Sequence, residues 1–499
     1  MSTEISRRRA LQIATLGAAS AVVGGLGTWR SLVAPASAAL ELRANQPLRE
    51  PLVLASRQGV LEVRLTAAAG VGLAGRRTRA LGYNGTSPGP TLRVAPGDVL
   101  RVTLANHLDH TTNLHTHGLH VSPEGNSDNV FRVVEPGQSA RYEYAVPADH
   151  PTGTFWYHPH RHGTVADQMF GGLFGALVVG TPDDQEPARE RVLVVSDITL
   201  TADGEVAAVS RQQVMVGREG DLVLVNGQLR PRIDVTAGSP ERWRVVNACT
   251  SRFLELALDE HTWGFLGYDG QQLGEPDERN TVVLAPGNRA DLRVQPLDAG
   301  DFTLRTLGHD RGGMGMMGGG ASVTSSETTL AVLRATASSS PAASGATSVP
   351  SAVDGRSREV ADLRGEAVDA RRTITFTMGM GMGMGMEGGE GMSFGFDGRE
   401  FDPGRVDQRV AVGTVEEWTI ANTSPMDHPF HIHVWPMQLI AADDVDPTGR
   451  PDWRDVVIVP ARGQVTVRLR FADFGGRTVY HCHILDHEDS GMMGVIDAR

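Results

Sequence analysis

The 499-residue chain carries one pattern of sequence three times, and this copying limits the fold more than any other feature. The run Gly97 to Asn106 (GDVLRVTLAN) recurs as Gly238 to Asn247 (GSPERWRVVN) and Gly413 to Asn422 (GTVEEWTIAN), with glycine and asparagine nine apart each time. Side chains alternate within each run, as a half-buried strand requires. A second block follows each copy: EPGQSARYEYAVP from Glu135, LAPGNRADLRVQP from Leu284 and VPARGQVTVRLRF from Val459. Each block then passes a glycine (Gly153, Gly300, Gly476) into a further strand. Short alternating strands, Pro/Gly turns and no long helical period predict an all-β chain of three tandem antiparallel β-sandwich domains. The expected spans are 45–182, 188–334 and 371–499. Residues 335–370, rich in Ser, Ala and Pro and outside the repeat, read as a linker.

Aligning the copies also locates chemistry. Nine and eleven residues after the repeat asparagine stand His115 and His117 in copy one, Leu256 and Leu258 in copy two, and His431 and His433 in copy three. Five and seven residues after the later glycine stand His158 and His160, then Arg305 and Leu307, then His481 and His483. Residues i and i+2 of a strand face one side, so each H-x-H offers two imidazoles to one surface. A lone H-x-H is more often a core or surface feature. Four in register, missing together from the middle copy, point instead to eight imidazoles converging between copies one and three. Imidazole suits copper, zinc, iron or nickel, so these eight leave the metal open.

Copy three adds His428, Cys482, His487 and Met492, where copy one has Thr112, Pro159, Thr164 and Met169. A His–Cys–His set with a weak axial methionine is the ligand group of a blue-copper electron-transfer site. Cys482 lies between His481 and His483, so one peptide segment joins this site to the histidine cluster. A disulfide with Cys249 would destroy it, and Cys249, in the apolar run VVNAC, reads as a small buried hydrophobe.

The segments HTHG, WYHPH, HPFHIH and HCHILDHEDSGMM resemble the four signatures of the three-domain multicopper oxidases, a family of bacterial laccases and cuprous oxidases. The resemblance spans essentially the whole chain after residue 38. It implies cupredoxin-like sandwiches and four copper ions: type 1 on His428, Cys482, His487 and Met492, type 2 on His115 and His431, and a type 3 pair on His117, His158, His160, His433, His481 and His483. It further implies reduction of dioxygen to water with electrons arriving singly from the type 1 centre. Asp128 and Glu488 fall where the family places acids that relay protons. Asp455, in DWRDVVIV, matches a carboxylate expected near a type 1 histidine and able to contact a metal ion. Pro159 departs from the second signature, and since proline in a strand belongs at an edge or bulge, altered hydrogen bonding is expected there. His120 and His162 read as outer or surface residues.

The electron donor is sought in two methionine clusters. GGMGMMGGG holds Met314, Met316 and Met317, and FTMGMGMGMGMEGGEGM holds Met378, Met380, Met382, Met384, Met386 and Met392, together nine of the chain's 16 methionines. Thioethers are soft ligands that select Cu(I), and glycine lets a chain wrap an ion. Cuprous oxidases of the family carry a longer methionine-rich insert at this place. The expected donor is therefore Cu(I), with a role in copper tolerance. Laccase-type oxidation of phenols and aromatic amines is the alternative, and a non-catalytic copper-sequestering protein is the reading from another class. Met–Gly repeats are also low-complexity sequence that can arise by slippage.

Charge and leader bound the partners. All 46 basic residues are arginine, against 59 acidic ones, and the net charge of -13 disfavours nucleic acid. Ser6 to Gln12 (SRRRALQ), an apolar stretch from Leu11 to Leu26 and Ala36-Ser37-Ala38 resemble a twin-arginine (Tat) signal over residues 1–38. Its glycines, and a length below the ~20 residues of a spanning helix, argue against stable membrane insertion. Export by the Tat machinery to the periplasm, cell envelope or medium is expected. Three sandwich domains suffice for a monomer.

Overall fold

The computed structural model describes residues 42–180, 189–313, 322–337, 362–380, 392–442 and 449–499. The leader, most of the linker and Met314, Met316, Met317, Met382, Met384 and Met386 lie outside the described residues.

In each sandwich the strand of the first block pairs with the strand of the second. Val99–Asn106 lies antiparallel to Ser139–Ala145, Glu241–Asn247 to Arg289–Val294, and Thr414–Asn422 to Gln464–Phe471. On its other side each repeat strand pairs in parallel, with Val60–Ala69, Glu190–Ile198 and Ala370–Met380. The sheets are thus mixed rather than purely antiparallel as expected. Parallel neighbours require a crossover, and the chain makes it through the facing sheet, by way of Thr91–Val94, Arg232–Thr236 and Gln408–Val410. Each copy forms a two-sheet sandwich: five strands on four, seven on five, and six on five.

The conserved spacing inside each copy has a local cause. The repeat glycine opens the strand from a left-handed turn, with φ of +88° at Gly97, +81° at Gly238 and +93° at Gly413. The repeat asparagine is a clip. In Asn106, Asn247 and Asn422 the side-chain oxygen accepts from the amide two residues on, while the side-chain NH2 donates to a nearby carbonyl and to one in or beside the second block. Inward positions are apolar: Leu100, Val102 and Leu104 in copy one, Trp243 and Val245 in copy two, Trp418 and Ile420 in copy three. Full burial of such a side chain is worth about 1.5–3 kcal/mol. Cys249 is buried and unpaired, as expected. Among the described residues no helix is long and apolar enough to cross a membrane.

Candidate metal centres

Cross-strand register brings the histidines together. His115–His117 pairs with Gly153–His158 so that His115 faces His158. In the third sandwich His428–Ile432 pairs with Gly476–Cys482, setting His431 opposite His481 and Phe430 opposite Cys482. The two sandwiches then meet face to face: the His115 ring stacks on His433 at 3.9 Å and the His117 ring on His431 at 3.8 Å. All eight expected imidazoles enter this one interface, and none is more than 2% exposed.

Hydrogen bonds fix which ring nitrogen faces inward. His115 Nδ1 points to Asp128 Oδ2 (2.9 Å), His431 Nδ1 to the Asp455 carbonyl (2.7 Å), His158 Nδ1 to the Pro159 carbonyl (2.8 Å) and His481 Nδ1 to the Cys482 carbonyl (3.0 Å). A neutral imidazole has one donor and one acceptor nitrogen, so the inward Nε2 atoms are lone pairs. His115 Nε2 and His431 Nε2 are buried without a protein partner. His481 Nε2 stands 3.0 Å from His160 Nε2 and 3.2 Å from His433 Nε2, and His158 Nε2 stands 3.5 Å from His117 Nδ1. Lone pairs packed this closely repel unless a cation lies among them. Burial also drives the imidazoles toward their neutral form, pushing His158 down to about 3, His160 to about 4, and His115, His117, His431, His433 and His483 well below the usual histidine range. Neutral imidazole is the form a metal binds.

The second site is built around sulfur. Cys482 Sγ lies 3.4 Å from His428 Nδ1 and 3.9 Å from His487 Nδ1, and the Ile484 amide donates to it. The Cys482 amide donates to the Met492 carbonyl, and both side chains are wholly buried in one core. The outer nitrogens are held away from sulfur, His428 Nε2 by Ser424 Oγ (2.8 Å) and His487 Nε2 by the Met215 carbonyl (3.2 Å). Burial pushes the Cys482 thiol up, so a metal ion rather than solvent must displace its proton. One soft thiolate and two imidazoles suit copper.

Three family models, each described as Multicopper oxidase, match residues 67–184, 189–335 and 371–499. The chain belongs to the multicopper oxidase family. Members are oxidoreductases that use oxygen as acceptor, with copper cofactors. This multicopper oxidase is 27% identical to Multicopper oxidase mco of Staphylococcus aureus, over 85% of this chain and 84% of that one. It is 25% identical to the Laccase of Bacillus subtilis (strain 168), over 84% and 90%. A solved structure titled "Multicopper oxidase from Campylobacter jejuni: a metallo-oxidase" superposes with TM-score 0.78 at 29% identity, covering 92% of this chain and 96% of that one.

The acids are placed unequally. Asp128 is buried against His115 and accepts from the Thr116 amide, and burial pushes its carboxyl up to about 7, where it can hold or release a proton near neutrality. Glu488 is wholly buried, 3.1 Å from His481 Nδ1 and 3.6 Å from His160 Nδ1. Asp455 is not beside a type 1 histidine as expected. It immediately precedes the strand Val456–Val459, which runs antiparallel to His428–Ile432 with His431 opposite Val456 and His428 opposite Val459, so Asp455 lies at the cluster end. There its Oδ1 stands 3.1 Å from His117 Nε2, and both oxygens receive the Arg289 guanidinium at 2.6 Å. Sequence reasoning missed Ser424, which holds His428 instead, and Arg289, which comes from the middle sandwich.

Pro159 costs no ladder bond, because its strand ends at His158. Its carbonyl anchors His158, and the His160 amide donates to Asn113 Oδ1 (2.6 Å). His120 is partly buried against the Val434 carbonyl and Asp473, and His162 lies beside Phe401, both outside the cluster as expected. The helix Leu485–Asp489, which carries His487, is pinned by all three sandwiches. Arg218 of the second binds Asp486 (2.6 Å) and Asp167 of the first (2.5 Å), and Asp489 accepts from the Gly163 and Ala166 amides at the start of the helix Val165–Gly171.

Since outer partners of ligating histidines set ring orientation, Asp128→Asn should lower copper affinity or turnover about 10- to 100-fold. Chelator competition on the loaded protein measures it, and a change below twofold would deny Asp128 that role.

Proposed function

We propose that this oxidase takes electrons singly from Cu(I) at the His428–Cys482–His487–Met492 site and passes them to the eight-histidine cluster, in a copper-tolerance role. Bound there, four copper ions would supply the one-electron storage and dioxygen reduction that no side chain can provide. The chain's residues would bind and orient them: His115 and His431 the type 2 ion, and the converging His160, His433 and His481 one type 3 ion, leaving His117, His158 and His483 for the other. Asp128 and Glu488 hold protons or charge beside the rings.

The observation that carries the Cu(I) reading is where the methionine-bearing hairpins begin. Phe376, on Ala370–Met380, stacks on His428 at 5.0 Å, and Phe394, on Met392–Phe396, stacks on His487 at 4.7 Å. Met378 and Met392 pack against the same core. From the second sandwich, His309–Gly313 reaches the same place, with Gly312 bridging Met426, two residues before His428. The described strands that flank the two methionine clusters in sequence therefore both pack beside the type 1 ligands. The metallo-oxidase from Campylobacter jejuni favours the same donor class; the Bacillus laccase supports phenols as the second reading.

Replacing residues 381–391 by a two-residue Asn-Gly turn, which can still close the Met380–Met392 pair, should abolish cuprous oxidase activity while sparing or raising phenol oxidation. Unimpaired Cu(I) turnover would overturn the metal donor and leave the laccase reading. A crevice where the three sandwiches meet is lined by Gly118, His150, Asp269, Trp453 and Asp455, the last of which contacts His117. Export by the Tat route follows from the leader, and retention of the protein in the cytoplasm after Arg7 and Arg8 are both changed to lysine would test it.

A further inference from the structure

His487 is 0% exposed, yet what covers its outer edge is thin. The ring's Nδ1 faces Cys482 and its face is stacked by Phe394, both of the third sandwich, but Nε2 meets the second sandwich, at the Met215 carbonyl (3.2 Å). Met215 belongs to the helix Arg211–Val216, in which no residue is fully buried: Arg211 and Gln212 are exposed and Gln213 to Val216 half-buried. A single peptide thus stands against the imidazole edge. The helix is held by its ends. At its start the Ser210 Oγ accepts from the Gln213 amide (3.2 Å) while the Ser210 amide donates to Gln213 Oε1 (2.9 Å), a closed capping box. At its end Gly217, with φ of +81°, lies so near the helix that carries His487 that a Cβ there would come within 2.7 Å of Ile484 Cγ2, and the Arg218 amide donates to Asp486 (2.8 Å). Six residues are too few for a helix to be stable alone in water, and an element with so little buried surface opens more readily than the core.

We propose that the helix Arg211–Val216 decides which donors reach the type 1 ligands: closed, it keeps aromatic rings from touching His487, and lifted about Gly217 it admits them. A phenol that gains the ring edge gives up one electron, which ends on dioxygen, and one proton, which goes to solvent. A single metal ion needs no such opening, because the Met215 carbonyl already accepts the His487 N–H and links the outer chain to the ring. The helix therefore acts on the choice of donor and leaves the ligands as they are. This inference goes beyond the Cu(I) reading and rests on the type 1 reading of His487.

Two variants move the helix in opposite directions. Ser210→Ala removes the cap and should favour the open form about fivefold, whereas Arg211→Glu puts an acid into a first turn that has none and should favour the closed form. On the copper-free full-length protein, carbethoxylation by diethyl pyrocarbonate, located by mass spectrometry, should rise about fivefold at His487 in Ser210→Ala and fall in Arg211→Glu. His481 and His483, buried in the cluster, should label as in the parent protein. On the copper-loaded protein, oxidation of guaiacol should follow the same order while Cu(I) turnover holds steady. Unchanged His487 labelling in both variants, or altered labelling without altered guaiacol oxidation, would overturn the proposal. If Ser210→Ala loosens the whole fold and labels all three histidines alike, Arg211→Glu decides: labelling and guaiacol turnover that do not fall count against the helix. Absence of the thiolate–copper band in the unaltered protein would overturn the type 1 reading itself, and this inference with it.

Discussion

Changing Cys482 to serine is expected to cut oxygen uptake by more than the roughly 10- to 100-fold that follows from losing a mere outer partner of a ligand. The thiolate is the only soft anionic ligand in a wholly buried site, and a serine hydroxyl would neither ionise there nor bind copper comparably. The thiolate–copper band should vanish with it. The eight-imidazole cluster does not use the sulfur and should keep its copper, so metal content should fall by one ion. Oxygen uptake and metal analysis on the same preparation measure both. An unchanged rate would refute electron entry at Cys482. A sequestering protein would instead show no uptake before or after the change.

Changing Arg289 to methionine should cost about 3–5 kcal/mol, because it strands the buried Asp455 carboxylate without its cation. Arg289 is 0% exposed and gives both terminal nitrogens to Asp455, while its Nε donates to the Thr154 carbonyl. It thus joins all three sandwiches at one point. Asp455 in turn contacts His117 through its carboxylate and His431 through its carbonyl, so the damage should reach the cluster. The unfolding midpoint should drop and the histidine-bound copper should be under-loaded, with the thiolate–copper band retained. Loss of the band alone, with the cluster full, would contradict this. Asp455→Asn, which keeps shape and some hydrogen bonding, should be milder.

What the sequence revealed was whatever copying or ligand spacing encodes. The three sandwiches, the eight imidazoles and the four residues around sulfur could be read because each has a counterpart, or a telling absence, in another copy. The asparagine clip shows why: Asn106, Asn247 and Asn422 make equivalent bonds, so their offsets are fixed by geometry. Contacts between copies leave no such trace. Arg289 reaches a site to which its own sandwich gives no ligand, and nothing in PGNRAD marks an arginine as interfacial. Asp455 was recognisable as a site carboxylate, but its end of the strand depends on register, with His431 opposite Val456. The parallel strand pairs escaped because alternation is the same in either direction.

The helix that carries His487 is held by Arg218 from one side and by the amides capped by Asp489 from the other. A ligand set braced this way has little freedom to adjust when the charge at its centre changes by one. Its geometry in the two oxidation states should therefore be nearly the same, and the rearrangement that normally slows an electron's arrival and departure is small. Three sandwiches, locked at their common seam, give the His428–Cys482–His487 site a stiffness that none of them would have alone.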